Sequence, residues 1–296
     1  MQRIKSYEDH IGAIVYMVPV PIGNDKDITL RAIEVFKEAD LICCEDTRTT
    51  GALLSRLGIK PKRLESLYSQ VEAKKSKTII QDILEQGLKV AFCSDAGAPG
   101  VSDPGSVFAK ECMDAGITVT SLPGATASIV ALVMSGLDTA DFTFYGFLSP
   151  KKETMDGQLK AIKHDKPTLI IYESPVRLID TLKEMNKVLG NRHFAVLREL
   201  TKEHEEAIRG TLDEVDQIDP KSIRGECIIV VEGYKEDKDE NKERILSLWS
   251  LYKENGISPS LAAKLISKQT NIKKNEVYKL IPVSYTHLTL PTIRLV

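Results

Sequence analysis

Over its first half the chain alternates between short runs of consecutive apolar residues and segments whose apolar positions recur every three or four residues. The run AIVYMV over 13–18 predicts a strand, followed by a turn through Pro19 to Asn24 and the helical pattern ITLRAIEVFKEA. LICC over 41–44 predicts a second strand, with a helix from about Thr47 to Leu57. LKVAFC over 88–93 and ITVTSL over 117–122 add two more strands. Such alternation predicts a largely parallel sheet with helices on its faces. The near-continuous apolar strands agree, because a parallel sheet is buried on both sides.

A second α/β unit is expected from about residue 139. FTFYGFL, TLIIYES, HFAVLREL and ECIIVVEG each predict a strand, and VRLIDTLKEMNKVL a helix. The charged run KEDKDENKE after Gly233 has the composition of a solvated linker. Helical patterns follow at about 243–254, 259–268 and 274–281, with Ser258-Pro259 a suitable helix start. The expected organisation is an N-terminal α/β domain over 1–138, a second over 139–233, and a linker with a helical region over 234–282. Residues 283–296 break the pattern, with threonine and leucine abundant and a single arginine. They are expected to be a non-native tail, dispensable for folding.

Composition narrows the function. The 296 residues are 42% hydrophobic and 28% charged, the balance of a globular protein. The longest apolar run, Ile129-Val-Ala-Leu-Val-Met134, falls far short of the ~20 residues that span a bilayer. The polar N-terminus lacks the apolar core of a signal peptide, so a cytoplasmic protein without a membrane partner is expected. None of the five cysteines pairs with another at a metal-ligand spacing, which predicts buried thiols and no metal. A net charge of −2 means that any nucleic-acid footprint must be a local patch.

Candidate chemistry lies in three loops at expected strand ends, where open α/β sheets bind ligands. They are Pro19-Val-Pro-Ile-Gly-Asn24, the Gly- and Pro-rich stretch 94–105, and Leu122-Pro-Gly-Ala-Thr-Ala-Ser128. Glycine admits a ligand close to the backbone, and proline limits the order lost on binding. Asp95 and Asp103 offer carboxylates for ribose hydroxyls or an amino group. No G-x-G-x-x-G follows a strand and no Gly-Lys-Ser/Thr is present, so neither a Rossmann dinucleotide site nor a P-loop is expected.

These residues resemble the tetrapyrrole-methylase superfamily and, within it, the cytidine 2′-O-methyltransferases of small-subunit ribosomal RNA. The resemblance runs through Pro21-Ile-Gly-Asn24, Glu45-Asp-Thr-Arg48, Ser94-Asp-Ala-Gly97, Ser102-Asp-Pro-Gly105 and Pro123-Gly124. It continues through Gly146-Phe-Leu, Tyr172-Glu-Ser-Pro175 with Arg177, Arg198-Glu-Leu-Thr-Lys202, His204-Glu-Glu206 and Arg209-Gly210. It implies two α/β domains closing on S-adenosyl-L-methionine, a homodimer, and 16S rRNA in the small subunit as substrate. The implied cofactor residues are Pro21, Gly23, Asp95, Ala96, Gly97, Ala98, Ser102, Asp103, Pro123, Gly124, Thr126 and Ala127. Ala98 stands where the family often has Thr, Val176 where it has His, and Leu67-Tyr-Ser-Gln70 where it has a histidine-rich stretch.

Methylating a ribose hydroxyl requires alignment of oxygen and methyl and removal of a proton. Candidate residues for that work are Glu45, Asp46, Arg48 and Glu173, with Glu199 and Glu226 as further carboxylates. Asp46 is equally a helix cap in this position. Arg177, Arg198 and Lys202 are candidate RNA contacts. Lys264, Lys268, Lys273, Lys274 and Lys279 crowd the last helical patterns, which suit either an RNA-gripping helix-turn-helix or a small helical cap with a solvated lysine face. Two rival functions fit less well: a methylase of the same superfamily acting on a tetrapyrrole, and a non-catalytic ribosome-assembly factor.

Overall fold

A computed structural model describes residues 13–67, 72–235, 238–270 and 272–281 of the chain. The chain divides into two compact units, Met1–Gly233 and Tyr234–Val296. The expected tail over 283–296 lies outside the described residues.

The first unit holds two five-stranded sheets. In the first, β1 (Ile14–Met17), β2 (Leu41–Cys44), β3 (Leu64–Ser66), β4 (Lys89–Cys93) and β5 (Thr118–Ser121) run parallel in the order β3-β2-β4-β1-β5. Successive side chains point to opposite faces, and both faces are filled. Ile42, Cys44, Ala91 and Cys93 pack with α1 (Leu30–Glu38) and α2 (Thr47–Arg56) through Phe36, Leu53 and Leu54. Val15, Leu41, Cys43 and Phe92 face α3 (Glu72–Gln86) and α4 (Ser106–Asp114) through Ile79, Ile83, Phe108 and Cys112. Adjacent Cys43 and Cys44 therefore lie in different cores, and all five cysteines are buried free thiols.

Sequence patterning did not supply β3. Three residues at the sheet edge are too short for a period to register, and only pairing with β2 defines them.

The second sheet comprises β6 (Phe142–Phe147), β7 (Thr168–Glu173), β8 (His193–Arg198), β9 (Glu206–Thr211) and β10 (Cys227–Val231), ordered β6-β7-β10-β8-β9. Only β6 and β7 pair in parallel, connected through α6 (Lys152–Ala161); the other pairs are antiparallel. One face packs on α6 and α7 (Leu178–Leu189) through Leu159, Leu182, Met185, Ile171, Val196 and Ile229. β9 is a second strand absent from the sequence reading. It is an edge strand, EAIRGT, whose mixed charged and small residues form no apolar run.

The other face of the second sheet is covered by α5 (Ala127–Ser135), which follows the last strand of the first sheet. Its Ala131 and Leu132 pack against Ile170, Ala195, Leu197, Ile228 and Val230. Gly136 ends the helix in the left-handed region at φ +76°. The Arg209 guanidinium, from β9, donates to the carbonyl oxygens of Ser135 (3.0 Å) and Met134, satisfying carbonyls that the helix end leaves free.

The second unit contains α8 (Lys238–Glu254), α9 (Pro259–Thr270) and α10 (Lys274–Leu280) around Ile245, Trp249, Ala263, Ile266 and Val277. The charged run expected as linker is largely helix, since α8 begins at Lys238, five residues before the expected start. Lys, Glu and Asp without Gly or Pro do not stop a helix, and the later apolar residues carry it into the core.

Because Leu132 is 3% exposed between α5 and the second sheet, Leu132→Ala is expected to destabilise the protein by about 2–5 kcal/mol. Val133→Ala, at a position 68% exposed, should leave the denaturation midpoint within about 0.5 kcal/mol of the parent. Denaturant titration of the two variants side by side checks both.

Candidate active site

The loops at the strand ends of the first sheet are tied to one another by hydrogen bonds. Val20 donates to the Gly97 carbonyl at 2.9 Å and Gly97 donates back to Val20 at 3.1 Å. Gly97 lies at φ +70°, and a Cβ there would come within 3.3 Å of Ile22. Asp95 accepts from the Asp46 backbone N–H at 3.2 Å, joining the β4 loop to the β2 loop. Gly124 seats the β5 loop on the β1 loop, since a Cβ would lie 2.5 Å from Pro19.

Between these loops and the second sheet lies a cavity of about 370 Å³, within the ~300–1,000 Å³ of small-molecule sites. From the first half its lining includes Ile22, Ala96, Gly97, Ala98, Ser102, Asp103, Thr126 and Ala127. The second half supplies Phe147, Tyr172, Glu173, Ser174, Pro175 and the segment 225–228. Tyr172 meets Phe147 and Phe144 edge to face, at ring centroid separations of 5.6 and 4.9 Å, forming an aromatic wall. No lysine or arginine lines the cavity, whereas Asp103, Glu173 and Glu226 do. Acidic and without a cation, that lining suits a neutral or cationic ligand better than a phosphorylated one.

A smaller cavity of about 250 Å³ adjoins it through Ile22 and Ala96 and is lined by Pro21, Gly23, Thr49, Arg56 and Asp95. The structure thus brings seven of the twelve expected cofactor residues to the larger cavity. Pro21, Gly23 and Asp95 line only the smaller one, and Pro123 and Gly124 line neither. For Gly23 the reason for glycine is packing: a Cβ would lie 2.6 Å from Lys202 and 2.7 Å from the Thr201 hydroxyl.

The acidic residues divide by environment. Asp46 caps α2, accepting from Arg48 N–H at 2.8 Å, and its ion pair with Arg48 holds its carboxyl down at about 2. The cap reading of Asp46 therefore holds, and Arg48 is spent on that pair. Asp103, at the cavity rim, is pushed up to about 6, first by the protein packed around it and then by Glu45, Asp95 and Glu226. Glu45 and Asp95 are raised as well, each mainly by desolvation.

Glu173 is built into the structure as an anchor. It is 2% exposed at the end of β7, and both oxygens are occupied. Oε1 accepts from Ser174 N–H (2.7 Å) and Arg177 (2.7 and 2.8 Å), and Oε2 from the Thr181 hydroxyl at 2.7 Å. Arg177 reaches on to the Leu148 carbonyl at 3.2 Å. The pair ties the β6 and β7 loops together, and Glu173 also lines the cavity, with Thr181 the one partner of its Oε2.

The other expected RNA contacts near the cleft are also engaged internally. Arg198 pairs with Glu206, and Lys202 with Glu199 (3.0 Å) and Glu226 (3.1 Å). Glu199 and Thr201 adopt positive φ, 50° and 65°, which marks the turn as strained and held by its surroundings. In the second unit, Lys264, Lys268, Lys273, Lys274 and Lys279 are exposed, as a phosphate-facing role requires.

Sequence reasoning gave Phe147, Tyr172, Ser174 and Pro175 no role, and it passed over 225–228 beyond naming Glu226. The motif blocks contained the first four. The last segment carried no motif and joins the cavity because β10 is inserted between β7 and β8.

The chain belongs to the tetrapyrrole (corrin/porphyrin) methylase family, whose sequence pattern matches residues 14–216. It is 40% identical over 288 residues to the ribosomal RNA small subunit methyltransferase I of Streptococcus pyogenes serotype M3, covering 94% of this chain and 98% of that protein. It is likewise 40% identical over 272 residues to the protein of that name from Bacillus subtilis, covering 90% and 92%. Among solved structures, a diphthine synthase superposes with a TM-score of 0.60 at 16% identity, covering 74% of this chain and 90% of the other. Uroporphyrin-III-C-methyltransferase from Thermus thermophilus gives 0.54 at 20% identity, covering 74% and 94%. These structural matches show the shared two-sheet fold.

With Glu173 as an anchor, Glu173→Gln is expected to lower stability by about 1–3 kcal/mol while leaving the pH profile of methyl transfer unchanged. Disappearance of the acid limb of that profile in the variant would identify Glu173 as the base instead.

Proposed function

We propose that this chain is an S-adenosylmethionine-dependent methyltransferase that methylates the 2′-hydroxyl of a cytidine ribose in the 16S rRNA of the small ribosomal subunit. The observation that carries the reading is near-full-length identity of 40% to proteins named ribosomal RNA small subunit methyltransferase I. A tetrapyrrole substrate or a non-catalytic assembly role is not favoured beside it.

The cavity fits the cofactor on its own chemistry. Gly97 leaves open backbone, Phe147 and Tyr172 offer aromatic faces, and the lining carboxylates complement a cationic ligand rather than a phosphorylated one. Ala96, Gly97, Ala98, Ser102, Asp103, Thr126 and Ala127 would hold it, with Asp95 behind them. When bound, S-adenosylmethionine supplies an electrophilic methyl on sulfonium sulfur. The protein must then orient the ribose and accept its proton. Asp103 lines the cavity with a carboxyl near 6, so it is ionised at neutral pH yet basic enough to take that proton. Glu45 stands near it as a second carboxylate raised by burial.

The exposed lysines of α9 and α10 support RNA contact by the second unit through phosphate charge. A homodimer, which the family resemblance implies, belongs to the same reading. Among the described residues no helix is long and apolar enough to cross a membrane.

Two measurements check the assignment. Labelled methyl groups transferred to unmodified small subunits should map to one cytidine 2′-oxygen of 16S rRNA; label on a base or on protein would overturn the reading. The same reaction should lose rate as pH falls through about 6, where Asp103 takes up a proton and can no longer accept one. For the cofactor site, Gly97→Val should abolish S-adenosylmethionine binding in calorimetry, since φ +70° is strained for valine and its side chain meets Ile22. Unchanged affinity would move the site elsewhere.

A further inference from the structure

We infer that the groove between the start of α7 and the turn before β10 seats the RNA strand adjoining the target ribose, with Arg224 holding a phosphate. This inference rests on the reading of the chain as an RNA methyltransferase and adds the place where the substrate lies.

The groove measures about 690 Å³ and is lined by Pro175, Val176, Ile179, Lys183, Ile223 and Arg224 among others. It runs into the larger cavity, because Pro175 and Gly225 line both. A strand lying in it would therefore pass the point where the cavity opens. Pro175 and Ile179 give it apolar walls, and Val176, 90% exposed, stands out as an apolar surface against which a base can rest. Two cations and one acid, Asp180, stand on the lining.

Charge pairing singles out Arg224. Arg177, Arg198 and Lys202 are committed to carboxylates of the protein, and Lys183 pairs with Asp216 at 2.7 Å. Arg224 is exposed and makes no ion pair among the described residues. Its backbone, by contrast, is held firmly. Gly225 lies at φ +78°, and any Cβ there would run into the Glu199 carboxylate. Glu199 Oε1 accepts from Glu226 N–H at 3.1 Å and from Lys202 Nζ at 3.0 Å, while Glu199 N–H donates to the Glu226 carbonyl at 3.1 Å. The turn is thus built before any ligand arrives, which limits the entropy lost when a phosphate docks. An unpaired guanidinium on a fixed backbone, at the lip of an anionic cavity, matches a nucleic acid whose phosphates stay outside while one nucleoside enters.

The test uses full-length protein, unmodified small ribosomal subunits and the variants Arg224→Ala, Arg224→Lys and Val176→Asp. Losing one phosphate contact should raise KM for subunits roughly fivefold near 0.15 M salt and lower the salt slope by roughly one unit. Arg224→Lys should restore most of the slope, and Val176→Asp should raise KM by placing a like charge beside the strand. Calorimetric affinity for S-adenosylmethionine should stay at the parent value in all three. Parental KM and slope in Arg224→Ala would overturn the groove assignment while leaving the methyltransferase reading intact. A raised KM with an unchanged slope would overturn it too, by pointing to a neutral or protein contact. If the parent itself transfers no methyl to subunits, the functional reading fails first, and the groove assignment falls with it.

Discussion

The contact on which the site depends is the packing of α5 on the second sheet. The helix leaves the first sheet through the β5 loop, lines the larger cavity with Ala127 at its start, and buries Ala131 and Leu132 against β7, β8 and β10. One nine-residue helix therefore sets how far the glycine-rich loops stand from the aromatic wall of Phe147 and Tyr172. Its far end is fastened by Arg209 from β9. Neither sheet holds a complete cavity, so the ligand space exists only while that apolar contact persists. A one-methylene defect there would be transmitted, because close-packed interiors do not deform smoothly.

Around the cleft the charges obey a single rule. Cations that come near the cavity are neutralised by carboxylates of the same half: Arg177 by Glu173, Arg198 by Glu206, Lys202 by Glu199 and Glu226. Glu45, Asp95 and Asp103 have no such partner, and burial first, then repulsion from neighbouring carboxylates, raises all three. The result is a cavity whose charged side chains are all acidic. The buried Glu173–Arg177 pair contributes geometry more than stability, since desolvation offsets much of what a buried ion pair gains.

What the sequence determined by itself was the alternation of elements and the location of the ligand loops. Continuous apolar runs such as LICC and KVAFC leave no solvent face, so a sheet buried on both sides followed from them. Glycines that the backbone requires, such as Gly97 at φ +70° and Gly105 at φ +123°, were legible as punctuation after β4. Only the tertiary structure decided which charged residues are available. Glu173 and Asp46 both stand at strand ends as catalytic candidates in sequence, yet one is locked by Arg177 and Thr181 and the other caps a helix. Those partners lie two to eight residues away, but their direction depends on helix starts that composition does not fix. Likewise β3 and β9 owe their existence to pairing, and the 225–228 wall owes its place to the insertion of β10 between β7 and β8. Periodicity records which face of an element is buried; it carries no record of which element will lie opposite, and that is where the site was made.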